Sequence, residues 1–402
     1  MRSRRGVPIQ VARLACEYLP SKSFGSELSA RCTAELSAAM RIAQVAPLYE
    51  SVPPKLYGGT ERVVSWLTEE LVRLGHDVTL FASGDSMTTA RLIPACSASL
   101  RSSPDSVDHL ARHLILMEHV LEHKEEFDLI HFHVDYLHFP VSRRERYTHV
   151  TTLHGRLDIP DLVPLYEVYG DMPVVSISDA QRDPLPHLAW QGTVHHGIPK
   201  DHYNFHSGPG KYLAFLGRTS PEKGLDCAIE IAQAARMPLK IAAKIDRADQ
   251  EYFDACIRPM LDAPDVEFVG EVGFPQKNDF LGDAAALLFP ISWPEPFGLV
   301  MIEAMACGTP VIAYPFGSVP EVIADELTGY VVSDLPGAVQ AANKIDRVDR
   351  KKVRKHFEQH FTAGRMANEY LTIYEQLSYK KKAPTPTGVL NWMKLPSPSN
   401  TT

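Results

Sequence analysis

The sequence predicts an α/β protein built from two doubly wound, Rossmann-like parallel sheets that face one another across a cleft. Three observations carry that expectation. Short β-branched runs alternate with helix-length amphipathic stretches, the pattern of a parallel sheet covered by helices. The alternation pauses once, in the polar stretch Pro199–Lys211, and then restarts on the same plan. At 402 residues the chain is long enough for roughly two or three domains.

The elements follow in order. Met40 to Pro47 reads as a buried strand, Ile42–Ala46, running into a loop. A helix over Thr60–Leu74 follows, with Val63, Val64, Leu67, Leu71 and Leu74 on one face and Gly75 placed to end it. Further strands are expected at Asp77–Ala82, Leu129–His133, Val150–Leu153, Val174–Ile177 and Thr193–His196. After the pause come a strand at Tyr212–Leu216, a helix from Gly224 to Ala235, and strands at Leu239–Lys244, Val266–Val269, Ala286–Phe289, Pro310–Tyr314 and Tyr330–Val332. Tyr370, Leu371, Tyr374 and Leu377 then repeat at helical spacing. The expected organisation is an extension over 1–39 (a misassigned start or a disordered basic segment), an N-terminal Rossmann-like domain over 40–200, a C-terminal Rossmann-like domain over 201–362, a final helix over 363–379 and a disordered tail over 380–402.

Composition narrows the class. Hydrophobic residues at 45% and charged residues at 22% are those of a globular chain, and no apolar run is long enough to be an integral membrane segment. Lys and Arg number 41 against 49 Asp and Glu, a net charge of −8 that argues against a nucleic-acid partner. None of the 6 cysteines forms a C-x-x-C pair, which fits a reducing cytoplasm, with Cys227 and Cys307 read as small core residues. The cluster Arg143, Arg144 and Arg146 leaves peripheral membrane contact open beside a solvated surface.

The chemistry concentrates between Ser292 and Val311. A strand ends at Phe289-Pro290, a loop carries Glu295, and Phe297-Gly298-Leu299 opens a helix whose free amides suit a diphosphate. Glu303 lies on that helix, where a carboxylate can accept two hydrogen bonds from a ribose diol or simply complement the helix dipole. Phe215 to Gly224 ends a strand in Gly217-Arg218 and reaches Lys223, a planar fork and a point charge both suited to phosphate. Gly58-Gly59 join the first strand to the first helix, where backbone approaches a ligand closely; this is not a G-x-G-x-x-G dinucleotide fingerprint. His154 ends a strand in Thr151-Thr152-Leu153-His154-Gly155. His131 and His133 share one strand face, and with no further cluster beside them a metal site is not expected; His133 and Asp135 are placed on the acceptor side.

The run from Glu295 to Val311 resembles the E-P-F-G-L-x-x-x-E-A-M-A-x-G-x-P-V signature of glycosyltransferase family 4, retaining enzymes of the GT-B fold, and the resemblance spans about Arg41 to Gln376. It implies that Glu295 contacts the donor sugar, Glu303 the nucleotide ribose, and Arg218 and Lys223 the diphosphate. His154 would contact the sugar, Gly58 and Gly59 would line the cleft, and the last helix would cross back onto the first domain. Where the family shows Asn-Gly-Ile-Asp, this chain has His196-Gly197-Ile198-Pro199, and a hinge is expected near Ile198–Lys200. A finer similarity, in Ala46–Glu50 and Leu56–Arg62, is to members named UDP-glucose:tetrahydrobiopterin glucosyltransferases. The activity implied is transfer of a hexose from a nucleoside diphosphate sugar, UDP-glucose or similar, to an unidentified hydroxyl acceptor, without cofactor or metal. A same-fold epimerase or phosphorylase and a catalytically silent sugar-nucleotide binding protein are the alternatives.

Overall fold

A computed structural model describes residues 39–382 apart from 57, 104 and 105. The expectations for residues 1–38 and 383–402 therefore lie outside the described residues.

The first sheet comprises β1 (Arg41–Val45), β2 (Asp77–Ser83), β3 (Arg91–Cys96), β4 (Leu129–Phe132), β5 (His149–Thr152), β6 (Val174–Ser176) and β7 (Trp190–Thr193). These strands lie in the order β3-β2-β1-β4-β5-β6-β7, all parallel. The second sheet comprises β8 (Tyr212–Arg218), β9 (Leu239–Lys244), β10 (Val266–Phe268), β11 (Ala284–Phe289), β12 (Val311–Ala313) and β13 (Gly329–Val331). Its order is β10-β9-β8-β11-β12-β13, again all parallel. Each sheet reverses direction once, between β1 and β4 and between β8 and β11. Ligands of such sheets sit beyond the strand carboxyl ends at these switch points.

Two strands differ from the expectation. β3 was not anticipated, because Pro94 interrupts its short run; as an edge strand it has one side without a partner and tolerates the missing N–H. The expected strand Thr193–His196 lies earlier, at Trp190–Thr193, which carries Gly192 and little β-branched signal. Val194 to His196 instead lead out of the sheet.

The helix Gly59–Arg73 buries Val63, Val64, Trp66, Leu67 and Leu71. The terminal helix Ala363–Lys382 packs against it, and buried Met366, Tyr370, Ile373 and Tyr374 belong to one apolar cluster with residues of both sheets. The chain crosses between the lobes twice, side by side: Ile198 N–H donates to Phe361 O at 2.9 Å and Ala363 N–H to Ile198 O at 2.9 Å. Gly197 makes that approach possible, since a Cβ there would lie 2.2 Å from Thr362 O.

Two arginines fix this crossing. Arg365 donates to the carbonyls of His195 at 2.7 Å and His196 at 2.9 Å. Arg354 donates to the carbonyls of Lys200 (2.7 Å), Tyr203 (2.9 Å) and Ala306 and pairs with Glu358 at 2.8 Å. Arg354→Ala strands three carbonyls at once and should lower unfolding stability by about 2–4 kcal/mol. Urea denaturation at pH 7.5 measures this directly, and an unchanged midpoint would remove the clamp from the account.

Candidate functional site

The carboxyl ends of β1, β4 and β5 face those of β8, β9 and β11 across a cavity of about 620 Å³. Both lobes line it: His133, Asp135 and His154 from one side, Arg218, Lys223, Glu295 and Glu303 from the other.

On the second lobe the loop after β11 turns into the helix Leu299–Ala306 at Gly298, whose φ is 75°. A side chain there would be strained and would place a Cβ 2.8 Å from Met301 Cε. The turn leaves the first amides of the helix without intrahelical partners, at its positive end. Phe297 is buried beneath, against His195, His196 and Phe361. From the first lobe Gly59 comes close: a Cβ on it would stand 3.6 Å from Leu299 Cδ1. Gly58, with φ 142°, precedes it at the helix start.

The charged groups are already paired. Lys223 Nζ donates to Glu295 and lies 4.6 Å from the Trp293 ring centre. Arg218 bonds Glu222 at 3.0 Å and sits 3.7 Å from both Asp246 and Asp249. Arg218 and Lys223 suit phosphate, as expected from their type, but an incoming anion must here take them from carboxylates. Glu303 is buried, accepts from Lys277 Nζ at 2.9 and 3.1 Å and from Tyr203 Oη at 3.0 Å. Burial works to raise its pKa, but Lys277, then Arg62 and Tyr203, hold it below the usual carboxylate value. Glu303 is thus an ionised acceptor.

On the first lobe Asp135 adopts φ 49°, in the left-handed region. Desolvation pushes its carboxyl up to about 6, offset in part by a hydrogen bond from the backbone amide of His154. His154 and His133 bond one another, Nε2 to Nδ1, at 2.9 Å. His133 Nε2 is in turn 2.8 Å from Gln44 Oε1, so neither ring nitrogen of His133 is left for an acceptor molecule. The acceptor-side placement of His133 is corrected accordingly: it supports His154. Burial lowers the pKa of His154 to about 3, and the ring is neutral at ordinary pH.

Several site residues carried no readable signal. Lys277 sits in the unpatterned stretch Gly273-Phe274-Pro275-Gln276-Lys277, and only the fold brings it to Glu303. Glu321 of the second lobe accepts from the first-lobe amides of Asp179 (2.7 Å) and Ala180 (2.8 Å) and bonds His195 Nε2 at 3.0 Å, a latch across the lobes. Arg143 is engaged by Asp171 and the Val168 carbonyl, and Arg144 by the Pro140 carbonyl. Cys307 is buried and Cys227 half-buried, its Sγ 3.1 Å from Tyr314 Oη. Among the described residues no helix is long and apolar enough to cross a membrane, and no group of three or more His, Cys, Asp or Glu is arranged to hold a metal ion.

Comparison with known proteins decides what this cleft belongs to. The family model described as Glycosyl transferases group 1 matches residues 201–360, and that described as Glycosyltransferase Family 4 matches residues 57–191. The chain is a family 4 glycosyltransferase of the GT-B fold. An uncharacterized glycosyltransferase of Methanocaldococcus jannaschii is 25% identical over 355 residues, 77% of this chain and 89% of its own. A D-inositol 3-phosphate glycosyltransferase of Mycobacterium leprae is 34% identical over 144 residues, 34% of this chain and 31% of its own. Among solved structures, a glycosyltransferase involved in avilamycin A biosynthesis superposes with a TM-score of 0.66 at 24% identity, covering 85% of this chain and 98% of the other. HepE of Anabaena in complex with UDP-glucose does so with a TM-score of 0.61 at 17% identity, covering 85% and 99%. In this glycosyltransferase, then, the paired sheets supply the two halves of the cleft, and Glu295 and Glu303 both line it from the second lobe.

Proposed function

We propose that this glycosyltransferase moves a hexose from a nucleoside diphosphate sugar, UDP-glucose or a close relative, to a hydroxyl acceptor with retention of anomeric configuration. The observation that carries the reading is the spacing of charge in the cleft. The amides at Gly298 and Leu299, with Lys223 and Arg218 lining the same cleft, suit a diphosphate; ionised Glu303 suits a ribose diol on one side of it, and Glu295, bonded to Lys223, would meet the sugar on the other. A structural neighbour in complex with UDP-glucose supports the choice of donor.

In this proposal the cations and amides stabilise the leaving diphosphate, the largest electrostatic demand of the reaction. The acceptor oxygen enters on the face the phosphate leaves, and the leaving phosphate takes its proton, so neither a protein nucleophile nor a metal is required. Closing of the lobes about Gly197–Ile198 excludes water. Asp135 accepts a hydrogen bond from a second hydroxyl of the acceptor and so orients it. Free thiols at Cys96, Cys227, Cys256 and Cys307 accord with a cytoplasmic setting.

Incubation with UDP-glucose and a panel of hydroxyl compounds, followed by NMR of the product, should show UDP release that depends on acceptor and a product with the donor's anomeric configuration. Sugar release without acceptor, dependence on inorganic phosphate, or an inverted product would each sink part of the reading. The Asp135 role predicts a pH dependence. Its carboxylate form is lost as pH falls through about 6, so kcat/KM for the acceptor should drop about tenfold per unit below that value. Asp135→Asn should be slower and lack this acid limb; a variant that keeps the limb would free Asp135 from the role.

A further inference from the structure

One hydrogen-bonded chain runs from the terminal helix to the cleft. Tyr370 Oη is 2.8 Å from Thr152 Oγ1, which is 2.7 Å from His131 Nε2. His131 Nδ1 is 2.6 Å from Tyr374 Oη, and Gln44 Nε2 lies 3.2 Å from the same hydroxyl. Gln44 Oε1 then meets His133 Nε2, and His133 Nδ1 meets His154 Nε2. The last atom, His154 Nδ1, is buried and has no hydrogen-bond partner among the described residues.

Donor and acceptor rules tie the polarity of this chain to the orientation of the Gln44 amide. An amide nitrogen only donates and an amide oxygen only accepts. Gln44 Nε2 therefore donates to Tyr374 Oη, and Gln44 Oε1 accepts from His133 Nε2–H. Burial keeps each of these imidazoles neutral, so each carries one proton. With its proton on Nε2, His133 has a bare Nδ1 and must accept from His154 Nε2–H. That leaves His154 Nδ1 bare. Turning the Gln44 amide over reverses every bond on this side and converts His154 Nδ1 to a donor. One residue with no place in the cleft lining thus governs the hydrogen-bonding character of one that lines it.

We propose that Gln44, anchored by Tyr374 and acting through His133, holds His154 in the tautomer with a bare Nδ1, so that His154 receives a hydroxyl hydrogen from the bound sugar or acceptor. Gln44, Tyr374 and His133 are positioning residues. The unpartnered Nδ1 fits this role: an orphaned buried acceptor is costly in the protein alone and is satisfied when a ligand hydroxyl arrives. The stacked His196 ring, 5.3 Å from that of His154, and Phe297 behind it keep the imidazole from turning away. The identity of the hydroxyl as a sugar's rests on the function proposed above; the tautomer does not.

The test is ring-nitrogen NMR of the full chain labelled with ¹⁵N-histidine, without nucleotide, with His154 assigned by the signals lost in His154→Asn. Wild type should show both His133 and His154 protonated on Nε2 alone. Gln44→Met should move His154 to a mixture of tautomers, leave UDP affinity as it was, and cut the advantage of UDP-glucose over UDP about tenfold, the worth of one hydrogen bond. If Gln44→Met does not fold, Tyr374→Phe removes the amide's anchor and should give the same mixing. A His154 protonated on Nδ1 in wild type, or an unchanged tautomer in both variants, overturns the proposal. Should UDP not bind while the tautomer is as stated, the functional reading falls and the relay stands.

Discussion

Lowering the pH from 8 to 5.5 should cost this protein most of its folding stability. His131, His133, His138 and His196 are buried, and burial, with neighbouring imidazoles, holds each well below the ordinary 6.5. The sign follows from linkage. A histidine whose folded pKa is depressed stays neutral in the fold while the unfolded chain takes up a proton, so stability is complete above pH 6.5 and is lost as pH falls below it. At pH 5.5 each such histidine costs about 1.4 kcal/mol, roughly 6 kcal/mol for the four together. A domain's total stability is roughly 5–15 kcal/mol. His149 and His154, lowered to about 4 and about 3, act in the same direction. Urea midpoints measured between pH 8 and 5.5 should fall steeply below 6.5. A midpoint that stays flat to pH 5.5 would mean that the cluster is solvated or protonated in the folded state.

The second large effect separates the two glutamates of the donor loop. Glu303→Ala removes the acceptor for a ribose diol, two charge-assisted hydrogen bonds, and should weaken UDP binding about a hundredfold. Glu295→Gln should behave differently. Glu295 occupies Lys223, so removing its charge frees that cation for the diphosphate and leaves UDP affinity unchanged or tighter. The sugar contact is what suffers, with kcat at least about tenfold lower. Calorimetry with UDP and steady-state rates distinguish the cases. Equal weakening of UDP by both substitutions, with kcat unaltered, would show that the roles are not divided in this way.

How far the sequence disclosed this site depends on the kind of signal each residue carries. Glu295, Gly298 and Glu303 were legible because a strand, a loop and a helix start follow one another within a single short stretch, so local rules place all three. The two sheets were legible because buried parallel strands are continuous apolar runs. β3 was missed for the converse reason: its Pro94 and half-exposed side chains give an edge strand no such run. Lys277, Glu321 and Gln44 act on partners 26, 142 and 330 residues distant, and no local pattern announces a contact of that range. The pairing of Arg218 with Glu222, Asp246 and Asp249 was hidden likewise, since two of its three partners come from the loop and turn that follow the neighbouring strand β9.

Whether the cleft holds a nucleoside diphosphate sugar is settled most directly by titrating the full chain calorimetrically with UDP, GDP and ADP, and with UDP-glucose and GDP-mannose, without added metal at pH 7.5. Selective UDP binding is expected, with UDP-glucose binding more tightly than UDP and Glu303→Ala abolishing most of the affinity. A folded protein that binds none of these nucleotides would contradict the donor-site assignment.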